Sequence, residues 1–216
     1  MKKIFVDTMI FDLDGTLVDS RADLAEAMHV TLNAIGAPDL DDDTIISFVG
    51  YGLEHFVRQA SGIDDPATIQ KAAAIYGDYY RANCLKHTRP FPGVIETLTH
   101  FSDKTLVVLS NKPAEFTQTI LVGLEMAEYF RFIFGGDSFL KHKPDPEPLR
   151  LIMEKIGTAP ETTVMVGDGF HDIEAGEAAG VVTCGVTGGL CARELLAASK
   201  PDFLMESFGE LKGIFF

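Results

Sequence analysis

Short apolar runs, each stopped at once by glycine or a small polar cluster, recur along this chain with helical patterns between them. Thr8 to Leu13 ends in acidic residues and Gly15, Thr105 to Leu109 at Ser110-Asn111, and Phe132 to Phe134 at Gly135-Gly136-Asp137. Thr163 to Val166 ends at Gly167-Asp168-Gly169, Val181 to Val186 near Gly188-Gly189, and Phe203 to Met205 is a shorter run. Apolar runs of this length, each followed by a turn signal, read as buried parallel strands. Val94 to Phe101, Ala114 to Leu124, Pro146 to Ile156 and Asp172 to Ala179 carry apolar residues at three- and four-residue spacings and read as helices. Strand and helix in alternation mean βαβ units with right-handed crossovers, an α/β fold with a parallel sheet. In such sheets a ligand sits beyond the carboxyl ends of the strands, where the polar residues that stop these runs cluster.

One stretch breaks the alternation. Residues from about Ser20 to His87 carry little strand pattern. Ala22 to Ile35 reads as a helix stopped by Gly36, and Thr44 to Val49 as another, closed by Gly50-Tyr51-Gly52. Leu53 to Ala60 and Ala67 to Leu85 continue the helical pattern. The expected division is a core of residues 1–19 and 88–216, with residues 20–87 inserted as a small helical cap. Arg89-Pro90-Phe91-Pro92-Gly93 marks the return, because two prolines break a helix and stiffen a linker.

Charge narrows the function classes. The formal net charge is -14, which repels nucleic-acid phosphates and anionic membranes, so neither is an expected partner. A small anion can still bind where a metal and one or two lysines invert the local field. Cys84, Cys184 and Cys191 are widely spaced, form no CxxC and fit a reducing, cytoplasmic setting. Met1-Lys2-Lys3 opens like a signal peptide, but Asp7, Asp12 and Asp14 interrupt the apolar stretch that would have to follow.

Four motifs carry the candidate chemistry. Asp12-Leu13-Asp14-Gly15-Thr16 follows the first strand, and alternation along an extended chain lets Asp12 and Asp14 face one site. Two close carboxylates favour a shared proton or a bound cation. Ser110-Asn111-Lys112 ends the second strand, where a hydroxyl and a main-chain N–H can hold a phosphoryl oxygen. Lys143-Pro144 precedes a helix and can bring positive charge to a phosphate. Gly167-Asp168-Gly169-Phe170-His171-Asp172 follows a buried strand. Asp168 stands at its tip, and Asp172 is placed either to cap the next helix or to reach the same metal.

In this order the motifs resemble the haloacid dehalogenase-like superfamily of hydrolases over essentially the whole chain. The resemblance implies a doubly wound, Rossmann-like core with a mobile cap. It implies Asp12 as nucleophile, forming an aspartyl-phosphate, and Asp14 as general acid and then base. Ser110, Asn111 through its amide, and Lys143 would hold the phosphoryl group. Mg²⁺ would be bound by Asp12, Asp168 and the main-chain oxygen of Asp14, with Asp172 supporting it through water. Asp14 argues against true dehalogenases, which lack a carboxylate there. The helical cap and Val49-Gly50-Tyr51-Gly52-Leu53 within it look most like phosphoglycolate phosphatases. Pyrophosphatases, nucleotide phosphatases and hexose-phosphate mutases share much of the pattern, and a binding module without turnover is the alternative of a different class. The expected partner is a small phosphorylated metabolite, on a monomer or homodimer. Gly50, Tyr51, Gly52 and Arg58 are the expected specificity residues, and His55, Lys86, His87 and Arg89 are further groups that could meet a second anionic end. His171 is expected at the surface. Gly169 departs from the family pattern, which carries Ser or Thr there in many relatives.

Overall fold

A computed structural model describes residues 3–216. Met1 and Lys2, part of the expected core and of the rejected leader, lie outside the described residues. The sheet is built from β1 (Thr8–Phe11), β4 (Thr105–Leu109), β5 (Phe132–Phe134), β6 (Thr163–Gly167), β7 (Val182–Val186) and β8 (Phe203–Met205). Its order is β5-β4-β1-β6-β7-β8, and every pairing is parallel. Side-chain alternation sorts the strands between two apolar layers. Ile10, Val107, Leu109 and Met165 pack with Leu149 and Ile152 of α7 (Glu147–Ile156) and Ala175 of α8 (Phe170–Ala179). Met9, Phe11, Val108 and Val166 pack in the other layer, with Val94 and Leu98 of α5 (Val94–His100) and Ile120 of α6 (Ala114–Gly123). Burial on both faces is why these strands read as unbroken apolar runs.

The inserted stretch is helical as expected. It comprises α1 (Arg21–Ile35), α2 (Asp42–Ser47), α3 (Leu53–Ser61) and α4 (Pro66–Asn83). Gly36 ends α1 in the left-handed conformation. Asp41 and Asp65 cap α2 and α4, each accepting a main-chain N–H three residues on. The linker contains something the sequence did not suggest. β2 (Val18–Asp19) and β3 (Arg89–Pro90) pair antiparallel, so the outgoing and returning chains run side by side. Asp23 reinforces this root. It is buried in α1 and its carboxylate accepts the His87 and Thr88 N–H groups and the Thr88 hydroxyl, at 2.7–3.0 Å. The remaining helices are α9 (Arg193–Ala198) and α10 (Leu211–Ile214). Among the described residues, no helix is long and apolar enough to cross a membrane.

Register fixes the site. Phe11 lies opposite Val108 on one side and Val166 on the other. The residues just past these levels, Asp12, Ser110 and Asp168, therefore emerge together at the carboxyl edge of three adjacent strands.

Candidate active site

A cavity of about 430 Å³ opens at that edge. Asp12, Asp14, Ser110, Asn111, Lys112, Lys143, Asp168 and His171 line it from the sheet side, and Gly50, Gly52, Leu53 and Phe56 from the helical insertion. Asp12, Asp168 and Asp172 each offer a carboxylate oxygen, and these oxygens lie within 4.8 Å of one another.

Lys143 is the counter-charge. Its Nζ lies 2.9 Å from Asp12 Oδ1, and donates to Asp172 Oδ1 at 2.6 Å and to the Leu109 carbonyl at 2.7 Å. Burial alone would lower its pKa, but the Asp12 and Asp172 carboxylates outweigh that and hold it above its ordinary value. One lysine does not neutralise three carboxylates. Burial raises Asp12 from 3.8 to about 6, against the opposing pull of Lys143. Burial, then the charges of Asp12 and Asp172, raise Asp168 from 3.8 to about 7. Asp12 Oδ1 has no hydrogen-bond partner among the described residues, since Lys143 approaches it without the alignment of one. An orphaned buried oxygen among three crowded carboxylates is a donor set that suits a hard divalent cation.

The loops that carry these groups are tied to one another. Thr16 Oγ1 donates to Asp168 Oδ1 at 3.0 Å and accepts the Asp168 N–H at 2.9 Å, while the N–H groups of Leu190 and Cys191 hold Asp168 Oδ2. Gly15 has φ +85°, and a Cβ there would overlap the Asp168 carboxylate, so glycine is required by both conformation and space. The Asp172 carboxylate does both things open to it in the sequence. It accepts the Gly169 N–H at the start of α8, one residue earlier than a cap by Asp172 itself implied, and it pairs with Lys143. The departure at Gly169 has a steric reason here, because a Cβ would lie 2.6 Å from His171 Nδ1.

Several expectations need correction. The Asp14 carboxylate is not part of the acidic group. It accepts from Ser20 Oγ at 2.6 Å and from Lys112 Nζ at 2.8 and 2.9 Å. His171 is buried, not superficial, and burial followed by the Lys143 charge pushes it down to about 4, so it is neutral at pH 7. Asn111 does more than present an amide. Its side chain donates to the carbonyls of Gly50 and Lys143 and accepts the Lys143 N–H. Of the expected specificity residues, Gly50 and Gly52 line the cavity, but Tyr51 and Arg58 do not. Tyr51 lies edge-on to His171 with ring centroids 4.7 Å apart, and Arg58 turns to Asp64 at 3.2 Å. Lys86 pairs with Glu26, and neither it nor His55, His87 or Arg89 reaches the cavity lining. Burial raises the Cys191 thiol, which removes the basis for a reactive thiolate. Lys112 and Thr16 stood inside motifs read for other residues. Their partners lie 98 and 152 positions away, beyond the reach of any local pattern.

The comparisons with known proteins agree with this geometry. The family described as "Haloacid dehalogenase-like hydrolase" matches residues 9–186. A phosphoglycolate phosphatase of Salmonella typhi is 34% identical, over 93% of this chain and 89% of its own length. One from Vibrio vulnificus (strain CMCP6) is 35% identical, over 95% of this chain and 94% of its own. A crystal structure described as a predicted phosphoglycolate phosphatase from Haemophilus somnus 129PT superposes with a TM-score of 0.92 at 29% identity, covering 96% of this chain and 97% of that one.

Proposed function

The chain belongs to the haloacid dehalogenase-like hydrolases, and on that premise we propose that it hydrolyses 2-phosphoglycolate to glycolate and phosphate through a phosphorylated Asp12. The observation that carries this reading is the convergence of Asp12, Asp168 and Asp172 beside Lys143 at the end of three parallel strands. The substrate follows from the two phosphoglycolate phosphatases that this chain resembles over nearly its whole length.

In this reading the Asp12 carboxylate attacks phosphorus, an Asp12–phosphorus bond forms and the ester bond breaks. Asp14 gives a proton to the departing glycolate oxygen, then takes one from the water that attacks the phosphorylated Asp12. That water restores the free carboxylate and releases phosphate. Splitting the hydrolysis in two makes each barrier lower than that of direct attack. Attack by a carboxylate on a phosphate dianion is opposed by charge, and Lys143, Ser110 and the Asn111 N–H stabilise the equatorial oxygens. The donor set described above suits Mg²⁺, with Asp12 and Asp168 as direct ligands, the Asp14 main-chain oxygen completing them and Asp172 supporting. When bound, Mg²⁺ would offset the remaining negative charge during phosphoryl transfer. Helices α1 to α4 act as a cap on the paired β2–β3 root, excluding water when closed. The reaction is placed in the cytoplasm, on a monomer or homodimer.

The test is phosphate release from 2-phosphoglycolate, pyrophosphate, nucleoside monophosphates and hexose phosphates, with Mg²⁺ and then with chelator. Fastest release from 2-phosphoglycolate, lost with chelator, is the expected result. Asp12→Asn should fold and lose turnover; a rate near wild type would exclude a phosphorylated Asp12.

A further inference from the structure

The cavity has a second end. Its lining cations are Lys143, Lys112 and Arg21. Lys143 is committed to Asp12, Asp172 and the Leu109 carbonyl. Arg21 stands at the rim with its side chain 41% exposed, its guanidinium on the Gly189 carbonyl and 3.7 Å from Asp43. Lys112 is buried, and its ammonium sits between the Asp14 carboxylate and the Tyr80 ring, 4.6 Å from the ring centroid. Tyr80 is itself buried, and its hydroxyl has no hydrogen-bond partner among the described residues. A buried ion pair is an expensive feature to retain for stability alone.

We infer that Lys112 is the specificity-determining residue for the leaving group, its ammonium pairing with a carboxylate carried next to the scissile ester. The inference rests on the phosphatase reading above and adds to it a group for the substrate's second charge. In 2-phosphoglycolate a single methylene separates the ester oxygen from the carboxylate carbon. The group that serves the ester oxygen and the group that meets the carboxylate must therefore be neighbours, and Asp14 and Lys112 are in direct contact. The insertion residues nominated for a second anion do not line the cavity, and the rim position of Arg21 leaves Lys112 as the buried cation at that end. An incoming carboxylate competes with Asp14 for one ammonium, which frees Asp14 to turn toward the ester oxygen. A neutral leaving group brings no such competitor.

The experiment compares 2-phosphoglycolate with 2-hydroxyethyl phosphate, in which a hydroxymethyl group replaces the carboxylate. Wild type should prefer the first. In Lys112→Met, kcat/KM falls on both because Asp14 loses its partner, but the preference for the anionic substrate falls a further ~30-fold or more, mainly through KM. Lys112→Arg, which keeps the charge, should retain more of the preference. Equal losses on both substrates would overturn the inference and reduce Lys112 to a residue that positions Asp14. A large loss of preference in Arg21→Gln would overturn it too, by moving the second anion to the rim. Wild type without any preference would overturn the substrate reading along with it, so the two failures are separable. If Lys112→Met does not fold, inhibition of wild type by glycolate but not by ethylene glycol, measured on 2-hydroxyethyl phosphate, decides the matter. Absence of glycolate inhibition would overturn the inference.

Discussion

The side-chain amide of Asn111 donates to the main-chain oxygen of Gly50 at 2.6 Å, joining the end of β4 to the loop that precedes α3. The same amide donates to the Lys143 carbonyl at 2.7 Å, so one residue ties the helical insertion to the loop that carries the site's central cation. The arrangement can be tested at each of its supports.

Gly50 has φ +125°, and a Cβ there would overlap the His171 ring. Gly50→Ala should cost about 1–3 kcal/mol of local strain and displace the loop on Asn111. We expect kcat/KM to fall about tenfold or more, since small misplacements at a site are costly. Adding His171→Ala should relieve the steric part and leave the conformational part. Steady-state kinetics of the single and double variants check this.

Lys143 is buried against two carboxylates. Lys143→Met leaves both without their partner, and removing one member of a buried pair typically costs about 3–5 kcal/mol. The variant should melt well below wild type and lose activity. Calorimetry in the presence of Mg²⁺ checks the first expectation, because a divalent cation should recover part of the lost stability.

Thr16 touches Asp168 by a reciprocal pair of hydrogen bonds. Thr16→Val removes both and should raise the Mg²⁺ concentration for half-maximal activity by about tenfold, as losses of such supporting contacts do. The rate at saturating Mg²⁺ should change far less. An activation curve distinguishes the two.

Asp12 and Asp168 titrate in the folded, metal-free chain near 6 and 7, against an ordinary 3.8. Between about pH 4 and pH 7 the folded chain therefore binds more protons than the unfolded one, and stability falls as pH rises. In chelator, the melting temperature should drop from pH 5 to pH 7.5. Asp168→Asn should flatten that slope, and Mg²⁺ should stabilise most at the upper end. Melting curves across pH, with and without Mg²⁺, check the sign.

The α/β layout and the positions of most of the site were legible in the sequence. A strand buried on both faces must be an apolar run, and the run must stop where the chain turns to meet solvent or ligand. Asp12, Ser110 and Asp168 could be found for that reason, because each follows such a run directly. The glycines at positions 15, 50 and 52 were visible as turn residues for a similar local cause. The two-residue strands β2 and β3 were not legible, since they are too short to carry a period and form only by pairing with each other across the insertion. The partners of side chains were hidden as well. Nothing within reach of Lys112 in the sequence points to Asp14, nothing near Thr16 points to Asp168, and Arg58 gives no sign that it faces Asp64 rather than the cavity. Local pattern determines which segments are buried and where they end. Which charge meets which is decided by the register of the sheet and the packing of the helices over it, because those alone bring distant residues within hydrogen-bonding distance.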